Sequence, residues 1–312
     1  MKDKPANIPA SVLARLRNVA REKGTDYQLI LRRYAIERLL HRLSVSPYRE
    51  RFVLKGAMLF TVWLEDPFRP TQDLDLLGYG DPDIAPIEET FRAICRIVAE
   101  DEDGLAFDAE GLNAEPIRED QEYGGVRVKT MAFLGKTRIP VQIDIGFGDA
   151  ITPAAQELEF PPLLSSKGPH LKAYPKETVV AEKLQAIVAL GRANSRMKDF
   201  YDLLVLSRLF AFEGGVLASA IRATFDRRGT IIPATPPDGL SQEFAGNQVK
   251  QRQWTAFVRR EPLLIAAPTL GETINEIADF AMPAIKAVVT GGEFNLRWAD
   301  GGPWKAISPA PR

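Results

Sequence analysis

Aspartates that alternate with apolar residues are the feature of this sequence that most restricts its fold. Asp73 and Asp75 flank Leu74 and are followed by Leu76 and Leu77, an alternation typical of a strand with one buried face. Because side chains two residues apart lie on the same side of a strand, both carboxylates should share one face. Two adjacent carboxylates in a partly buried strand repel each other unless a cation lies between them. The segment therefore predicts a β-strand that carries a cation site.

A third aspartate, Asp144, lies in a similar alternating segment, residues 138–145. Another β-like segment, residues 126–134, is separated from it only by a turn, so the two predict a hairpin that delivers Asp144 beside the first strand. Carboxylates from neighbouring strands form the kind of oxygen cage that Mg²⁺ prefers. Asp149 is close in the sequence and competes for the third place. The predicted metal ligands are Asp73, Asp75 and Asp144.

A site of three aspartates points to phosphoryl or nucleotidyl transfer. In a two-metal mechanism, one ion activates an acceptor hydroxyl, and the other holds the nucleotide phosphates and stabilises the leaving pyrophosphate. The carboxylate nearest the hydroxyl can also accept its proton. Asp144 is the candidate for that role.

A glycine just before the aspartates is a candidate for phosphate binding. Gly56 joins a short predicted strand, residues 52–54, to a predicted helix, residues 58–64. Glycine at such a turn lets the backbone approach a triphosphate, with the amides of the helix start facing the anion. An ordinary turn glycine is the alternative, and the nearby aspartates favour the phosphate role.

Two predicted helices carry further charged candidates. Lys176 and Lys183 lie two turns apart on one face of the helix predicted for residues 176–190, and a lysine there can hold a γ-phosphate as a point charge. Two solvated lysines are the alternative. Asp199 and Asp202 share one face of the next predicted helix. One of them can pair with Lys183, or Asp199 can cap its helix.

Other catalytic schemes find little support. The two histidines, His41 and His170, are far from any serine or cysteine motif, and the chain has no zinc-ligand spacing, Walker A loop or Rossmann fingerprint. The single cysteine, Cys95, excludes an intramolecular disulfide and fits a reducing compartment. The sequence offers neither a membrane span nor a signal-peptide core, so a cytoplasmic protein without membrane contact is expected.

The net charge of −1 excludes a general nucleic-acid coat protein, but the charges are unevenly distributed. Residues 1–60 are rich in arginine and lysine, and residues 81–122 are rich in acids. A basic N-terminal face can receive a phosphate backbone. Solvated helix faces explain the same residues equally well.

The pattern along the chain predicts an α/β (α+β) protein with two regions. Residues 1–150 should form an α/β catalytic region with N-terminal helices, and residues 151–312 a mainly helical region that completes the active site. A loop is expected over 153–175, and the tail after residue 291 has no clear pattern. The other predicted helices are residues 9–23, 27–43, 84–100, 197–209, 215–225, 241–258 and 270–289.

Four segments together resemble the AbiEii/AbiGii-type toxins of the nucleotidyltransferase superfamily. In order and spacing the resemblance covers about residues 50–210. Many nucleotidyltransferases share the first two segments, whereas the last two narrow the resemblance to this family. The segments are residues 52–57, 69–75, 182–186 and 196–203.

The resemblance implies a nucleotidyltransferase-like mixed sheet with flanking helices, followed by a helical C-terminal region. It implies an enzyme that uses Mg²⁺ and a nucleoside triphosphate and transfers a nucleotide to an acceptor. Some family members add nucleotides to the 3′ end of tRNA and so block translation. Their usual partner is an antitoxin encoded by a neighbouring gene, which in AbiE-type systems carries a winged-helix DNA-binding domain.

The resemblance also assigns roles to residues. Gly56 matches the phosphate-contacting glycine, and Asp73 and Asp75 match the metal pair. Lys183 matches the nucleotide-binding lysine, and Asp199 matches the downstream catalytic aspartate. One departure is Ala57, where many relatives have serine or glycine; alanine lacks a hydroxyl for phosphate but keeps the backbone amide. The expected catalytic residues are Asp73, Asp75, Asp144, Lys183 and Asp199, and the expected nucleotide-binding residues are Lys55, Gly56, Ala57, Arg69, Thr71 and Lys183.

Three functions follow as hypotheses. The first is a toxin-like nucleotidyltransferase that acts on RNA, with tRNA as the acceptor; a basic groove leading to Asp73 would favour it. The second is transfer to a protein or a small molecule, favoured by a closed pocket. The third is a nucleotide-binding or partner-binding module without catalysis, which Ala57 keeps open. Fold alone does not decide among them, because one core serves many acceptors.

Overall fold

The computed structural model describes residues 7–64, 73–117, 124–164, 167–260 and 263–307. Two compact units are present. The first comprises residues 1–148 and 156–173, and the second comprises residues 149–155 and 174–312.

The first unit is a mixed sheet with helices. Its sheet has the strand order β3-β5-β6-β2-β1-β8-β7, and β4 also pairs with β5. The pairs β2–β6 and β1–β8 are parallel, and the others are antiparallel. The helices are α1 (Ile8–Glu22), α2 (Tyr27–Ser44), α3 (Met58–Trp63) and α4 (Ile84–Cys95), and the strands are β1 (Phe52–Lys55), β2 (Leu74–Gly78), β3 (Leu105–Phe107), β4 (Asn113–Ile117), β5 (Gly125–Leu134), β6 (Thr137–Phe147), β7 (Gln156–Glu159) and β8 (His170–Ala173).

Alternation along the β5–β6 hairpin decides which face carries the charges. Val126 and Val128 of β5 and Ile143 and Ile145 of β6 are all buried. Burying an aliphatic side chain of this size contributes about 1.5–3 kcal/mol, and a slip of one residue would move the whole set to the other face. The register therefore places Asp144 on the opposite, partly exposed face of the sheet.

The N-terminal helices begin at side-chain caps and pack through apolar faces. Asp26 accepts hydrogen bonds from the backbone amides of Gln28 and Leu29, which satisfies two of the free amides at the start of α2. The preceding turn contains Gly24 at φ +60°. Both predicted helices in this region are confirmed.

The basic N-terminal segment meets the acidic segment of its own chain. Arg38 is 0% exposed and Arg42 is 2% exposed. Arg38 Nη2 lies 2.8 Å from Asp101 Oδ1, and Arg42 Nη1 lies 2.6 Å from Asp103 Oδ2. These two arginines therefore belong to a buried ionic cluster. For them, the interpretations as part of a phosphate-binding face and as part of a solvated helix face are both wrong. Arg42 Nε also donates a hydrogen bond to the Ile97 carbonyl. This carbonyl follows α4, which ends at Cys95 rather than at the predicted residue 100.

The second unit is mainly helical and also contains a small sheet, in the order β11-β10-β9. The predicted helix over residues 241–258 is two helices, because Asn247 accepts hydrogen bonds from the amides of Val249 and Lys250 and starts a new helix there. The elements are α5 (Lys176–Leu190), α6 (Met197–Leu209), β9 (Phe212–Glu213), α7 (Gly214–Arg227), α8 (Gln242–Gly246), α9 (Gln248–Arg260), α10 (Leu270–Thr290), β10 (Leu296–Trp298) and β11 (Trp304–Ala306).

The predicted loop over residues 153–175 is wrong in part, and the tail without a clear pattern is ordered by contacts. Part of the predicted loop forms β7 and β8, which extend the first sheet. In the tail, Trp298 Nε1 donates to the Ser207 carbonyl at 2.6 Å and Trp304 Nε1 donates to the Phe280 carbonyl at 2.9 Å. Both indoles also pack on the Phe280 ring. The buried Trp298 and the half-buried Trp304 thus attach a Gly/Pro-rich segment that has no periodic pattern.

None of the helices in the described ranges combines the length and the apolar character needed to cross a bilayer.

Candidate active site

One row of charged residues crosses five strands of the first unit. Lys55 pairs in register with Asp75, Asp75 with Asp144, Asp144 with Arg127, and Arg127 with Glu115. Residues directly opposite in a ladder point to the same face, and neighbouring strands lie about 4.8 Å apart. The predicted hairpin is present, and its register delivers Asp144 to the position beside Asp75.

Asp73 lies one residue before β2 rather than within it. It lines a cavity of about 490 Å³ together with Arg32, Lys129 and Gln142. Arg69 and Thr71, the expected nucleotide-binding residues upstream, lie outside the described residues.

Gly56 makes room for the Asp75 carboxylate. Its φ is +73°, a left-handed conformation that side chains with a Cβ seldom adopt. A Cβ on this glycine would lie 2.7 Å from Asp75 Cγ and 2.8 Å from Asp75 Cβ, closer than any van der Waals contact allows. Glycine is therefore needed here for a structural reason that the sequence does not reveal: the backbone packs directly on a site carboxylate. Ala57 follows it and is buried before α3.

Arg127 donates two parallel hydrogen bonds to Asp144. Arg127 Nε donates to Asp144 Oδ1 at 2.8 Å, and Arg127 Nη2 donates to Asp144 Oδ2 at 2.7 Å. Gln142 Nε2 lies 3.4 Å from the same Oδ2. This fork-to-fork geometry is the strongest form of an arginine–carboxylate pair.

The electrostatic surroundings of Arg127 connect it to the rest of the row. The hydrogen bond to Asp144 is the main cause that raises the pKa of the Arg127 guanidinium above its ordinary value, and the charges of Asp144, Asp73 and Glu115 add to it. The guanidinium is thus permanently charged, binds Asp144 directly and interacts electrostatically with Asp73. Arg127 was not among the residues predicted from the sequence, although a signal existed: Arg127 and Asp144 are equidistant from the hairpin turn.

Lys183 and Asp199, which are in the second unit, contact each other. Lys183 Nζ lies 2.9 Å from Asp199 Oδ1 and 2.7 Å from Asp202 Oδ2. The three side chains are 13%, 9% and 0% exposed. The sequence left open whether an aspartate pairs with Lys183 or Asp199 caps its helix. The pairing is present, and both Asp199 and Asp202 take part in it. Lys176 instead lies near Glu177 and over the Phe212 ring.

Asp149, the sequence competitor of Asp144, has a different partner. Arg228 Nη2 lies 2.8 Å from Asp149 Oδ1 and 3.1 Å from Glu182 Oε1. Burial lowers the pKa of the Arg228 guanidinium, but the charges of Glu182 and Asp149 outweigh it and leave that pKa raised. Asp149 therefore belongs to an ionic cluster of the second unit.

The donor chemistry of the aspartates suits a hard divalent cation. Mg²⁺ binds through one or two carboxylates plus substrate phosphates, and Asp75 and Asp144 offer such oxygens from directly opposed positions. Among the described residues, however, no three acidic, histidine or cysteine side chains are grouped so that they could hold a metal ion. The role of Asp73, Asp75 and Asp144 as metal ligands stays a prediction.

Comparison with known proteins found one matching family model and several similar solved structures. A family model described as "Nucleotidyl transferase AbiEii toxin, Type IV TA system" matches residues 38–279. The structure is similar to MenT4, a nucleotidyltransferase toxin from Mycobacterium tuberculosis, at 20% identity and a TM-score of 0.56, covering 86% of this chain and 89% of that one. JHP933 from Helicobacter pylori matches at 16% identity and a TM-score of 0.48, covering 85% of this chain and 95% of that one. No curated protein matches the sequence.

Proposed function

This chain belongs to the AbiEii family of nucleotidyltransferase toxins of type IV toxin–antitoxin systems, and we propose that it transfers a nucleotide from a nucleoside triphosphate to RNA. The proposed acceptor is the 3′ end of tRNA, and the proposed consequence in the cytoplasm is inhibition of translation and growth. The observation that carries the proposal is the register of Asp75 opposite Asp144 in a row of charged residues, within the segment that the family model matches.

Asp73, Asp75 and Asp144 would hold Mg²⁺ in this proposal. When bound, the ion supplies a polarised acceptor hydroxyl and charge stabilisation for the leaving pyrophosphate. Gly56 keeps the Asp75 carboxylate in place because its backbone packs directly against that side chain. Asp144 is the candidate to accept the proton of the acceptor hydroxyl.

Nucleotide binding is proposed for the residues around Gly56 and for Lys183. Lys55, Gly56, Ala57, Arg69 and Thr71 belong to the segments that carry the family resemblance, and Ala57 can offer its backbone amide. Lys183 would supply a positive charge to the triphosphate. Asp199 and Asp202 hold its ammonium group from two sides, so we propose that both aspartates position Lys183.

A small-molecule acceptor is the second candidate, and the cavity at Asp73 favours it. Its volume of about 490 Å³ lies within the range of pockets that bind small ligands, about 300–1,000 Å³. Arg32 on its wall is the basic residue of α2 placed to meet a phosphate there, since Arg38 and Arg42 are buried in ion pairs.

The test uses the purified full chain with Mg²⁺, each α-labelled nucleoside triphosphate in turn, and total RNA. Label in tRNA-sized RNA supports the proposal and identifies the preferred nucleotide. The Asp73→Ala/Asp75→Ala variant should transfer no label, and Asp81→Asn, an exposed acid outside the row, should transfer as the wild type does. Label in protein or small molecules instead would establish the second hypothesis, and no label would leave a binding module without catalysis.

The partner proposal has its own test. A cognate antitoxin encoded by a neighbouring gene is expected for a type IV toxin–antitoxin family. Induced expression of the wild-type chain should arrest bacterial growth, and co-expression of the neighbouring gene should restore it. Growth arrest that persists in the Asp73→Ala/Asp75→Ala variant would separate toxicity from nucleotide transfer.

A further inference from the structure

The site contains a cation of its own. Arg127 lies on the same face of the sheet as the aspartates and binds both oxygens of Asp144. A carboxylate whose two oxygens both accept hydrogen bonds from a guanidinium has lost its best lone pairs for a metal ion or a proton. The proposed roles of Asp144 as ligand and as base therefore both require Arg127 to move.

We propose that Arg127 is an exchangeable counter-ion: it neutralises and positions Asp144 until a divalent cation is available, and Asp144 joins Asp73 and Asp75 only after Arg127 has released it. Arg127 is thus a positioning residue that sets the affinity of the site for metal. This inference rests on the metal role proposed for the three aspartates.

The surroundings of the pair make such an exchange possible. The Arg127 side chain is 34% exposed and that of Asp144 is 20% exposed, so water can replace each partner when the pair opens. A pair with this much solvent opens at a lower cost than a fully buried pair, although its two parallel hydrogen bonds make it stronger than an ordinary surface pair. Glu115 lies opposite Arg127 on β4 and can receive the released guanidinium. A buried pair, such as Arg38 with Asp103, lacks this freedom.

The chain offers a matched control two residues away. Lys129 lies on the same strand and the same face as Arg127 and pairs with Glu115, without a hydrogen bond to Asp144. Removing Lys129 lowers the positive charge near the site by the same amount as removing Arg127. A difference between the two variants therefore reports the contact with Asp144 rather than net charge.

The experiment titrates Mn²⁺ into the metal-free full chain and counts free Mn²⁺ by electron paramagnetic resonance, without nucleotide. Arg127→Gln should bind Mn²⁺ about three- to tenfold more tightly than the wild type, because a partly exposed charge-assisted pair no longer competes. Lys129→Gln should change the affinity less than about twofold. Arg127→Gln/Asp144→Asn should lose the gain. Arg127→Lys, which keeps the charge but cannot form the fork, should fall between the wild type and Arg127→Gln and serves if Arg127→Gln is unstable.

Three results would overturn the inference: an unchanged or weaker Mn²⁺ affinity in Arg127→Gln, an equal gain in Lys129→Gln, or a gain that survives Asp144→Asn. Nucleotide transfer by the wild-type chain is measured separately. Transfer without the affinity change would refute the exchange alone, whereas the affinity change without transfer would refute the proposed function and leave the exchange standing.

Discussion

Asp75 and Asp144 lie directly opposite each other on the adjacent parallel strands β2 and β6. The two aspartates are far apart in the sequence, and the β5–β6 hairpin brings Asp144 beside Asp75. Gly56 packs on the first carboxylate and Arg127 binds the second. Each carboxylate thus has one neighbour that fixes its position, Gly56 for Asp75 and Arg127 for Asp144. The effect of each neighbour can be tested by substitution.

Gly56→Ala should slow nucleotide transfer because it displaces the Asp75 carboxylate. The left-handed backbone alone costs a non-glycine residue about 1–2 kcal/mol, and the added methyl group must also displace the Asp75 carboxylate. Gly24→Ala is the matched control, because Gly24 has φ +60° and open space around it. In urea unfolding Gly56→Ala should lose more stability than Gly24→Ala, because only the methyl group at position 56 meets the Asp75 side chain. Only Gly56→Ala should lose transfer rate, by about 10²-fold for a displacement of about 1 Å. Equal rates in the two variants would contradict this.

Lys183→Met should destabilise the fold as well as reduce activity. It leaves the buried carboxylates of Asp199 and Asp202 without their shared cation, and breaking such a buried pair typically costs about 3–5 kcal/mol. Lys176→Met on the same helix, where the side chain is a third exposed, should cost at most about 1 kcal/mol. Thermal and urea unfolding measure both. A Lys183→Met protein as stable as Lys176→Met would show that the cluster is not structural.

The contribution of Glu37 to stability should fall as the pH rises from about 4.5 to 7. Its side chain is 0% exposed, and burial raises its pKa from the ordinary 4.5 to about 7. Since the folded state holds this proton more tightly than the unfolded chain, the contribution is fully present below pH 4.5 and is lost by pH 7. The loss should be on the order of 3 kcal/mol by pH 7, because each pKa unit between 4.5 and 7 corresponds to about 1.4 kcal/mol.

Glu37→Gln provides the check on that pH dependence. Glutamine keeps an oxygen that can accept the hydrogen bond from the Leu163 amide, at 2.8 Å in the wild type, but does not titrate. Urea unfolding at several pH values should show a smaller loss of stability with rising pH in Glu37→Gln than in the wild type. Glu50→Gln, at an exposed surface pair with Lys172, should retain the wild-type loss. Parallel pH curves for the wild type and Glu37→Gln would refute the role of Glu37.

Two arginines of α2 should behave differently. Arg38→Met removes a buried partner of Asp101 and Asp103 and should destabilise the protein by about 3–5 kcal/mol. Arg32→Gln, on the wall of the cavity at Asp73, should cost at most about 1 kcal/mol. If the acceptor is RNA, Arg32→Gln should raise its KM about three- to tenfold through a lost phosphate contact, with KM for the nucleotide unchanged. An unchanged acceptor KM would remove Arg32 from the acceptor site.

Local patterns were sufficient for the elements and for part of the site. Alternation around Asp75 and Asp144 identified both strands, because burial of their leucine and isoleucine neighbours leaves only one face for the carboxylates. The period of 3.6 predicted α5 and α6 with their observed bounds. These features depend on residues close together in the chain, so the amino-acid order alone contains them.

Tertiary contacts decided which charges meet. Arg127 pairs with Asp144, and Lys183 pairs with both Asp199 and Asp202. Arg38 is buried in ion pairs with Asp101 and Asp103. The sequence lists these groups but does not rank their possible partners, because the Coulomb energy of a pair depends on distance and burial rather than on separation along the chain. The types of residue in the site could therefore be predicted from the sequence. Which cation pairs with each carboxylate was decided only by the packing of strands and helices that are distant in the chain.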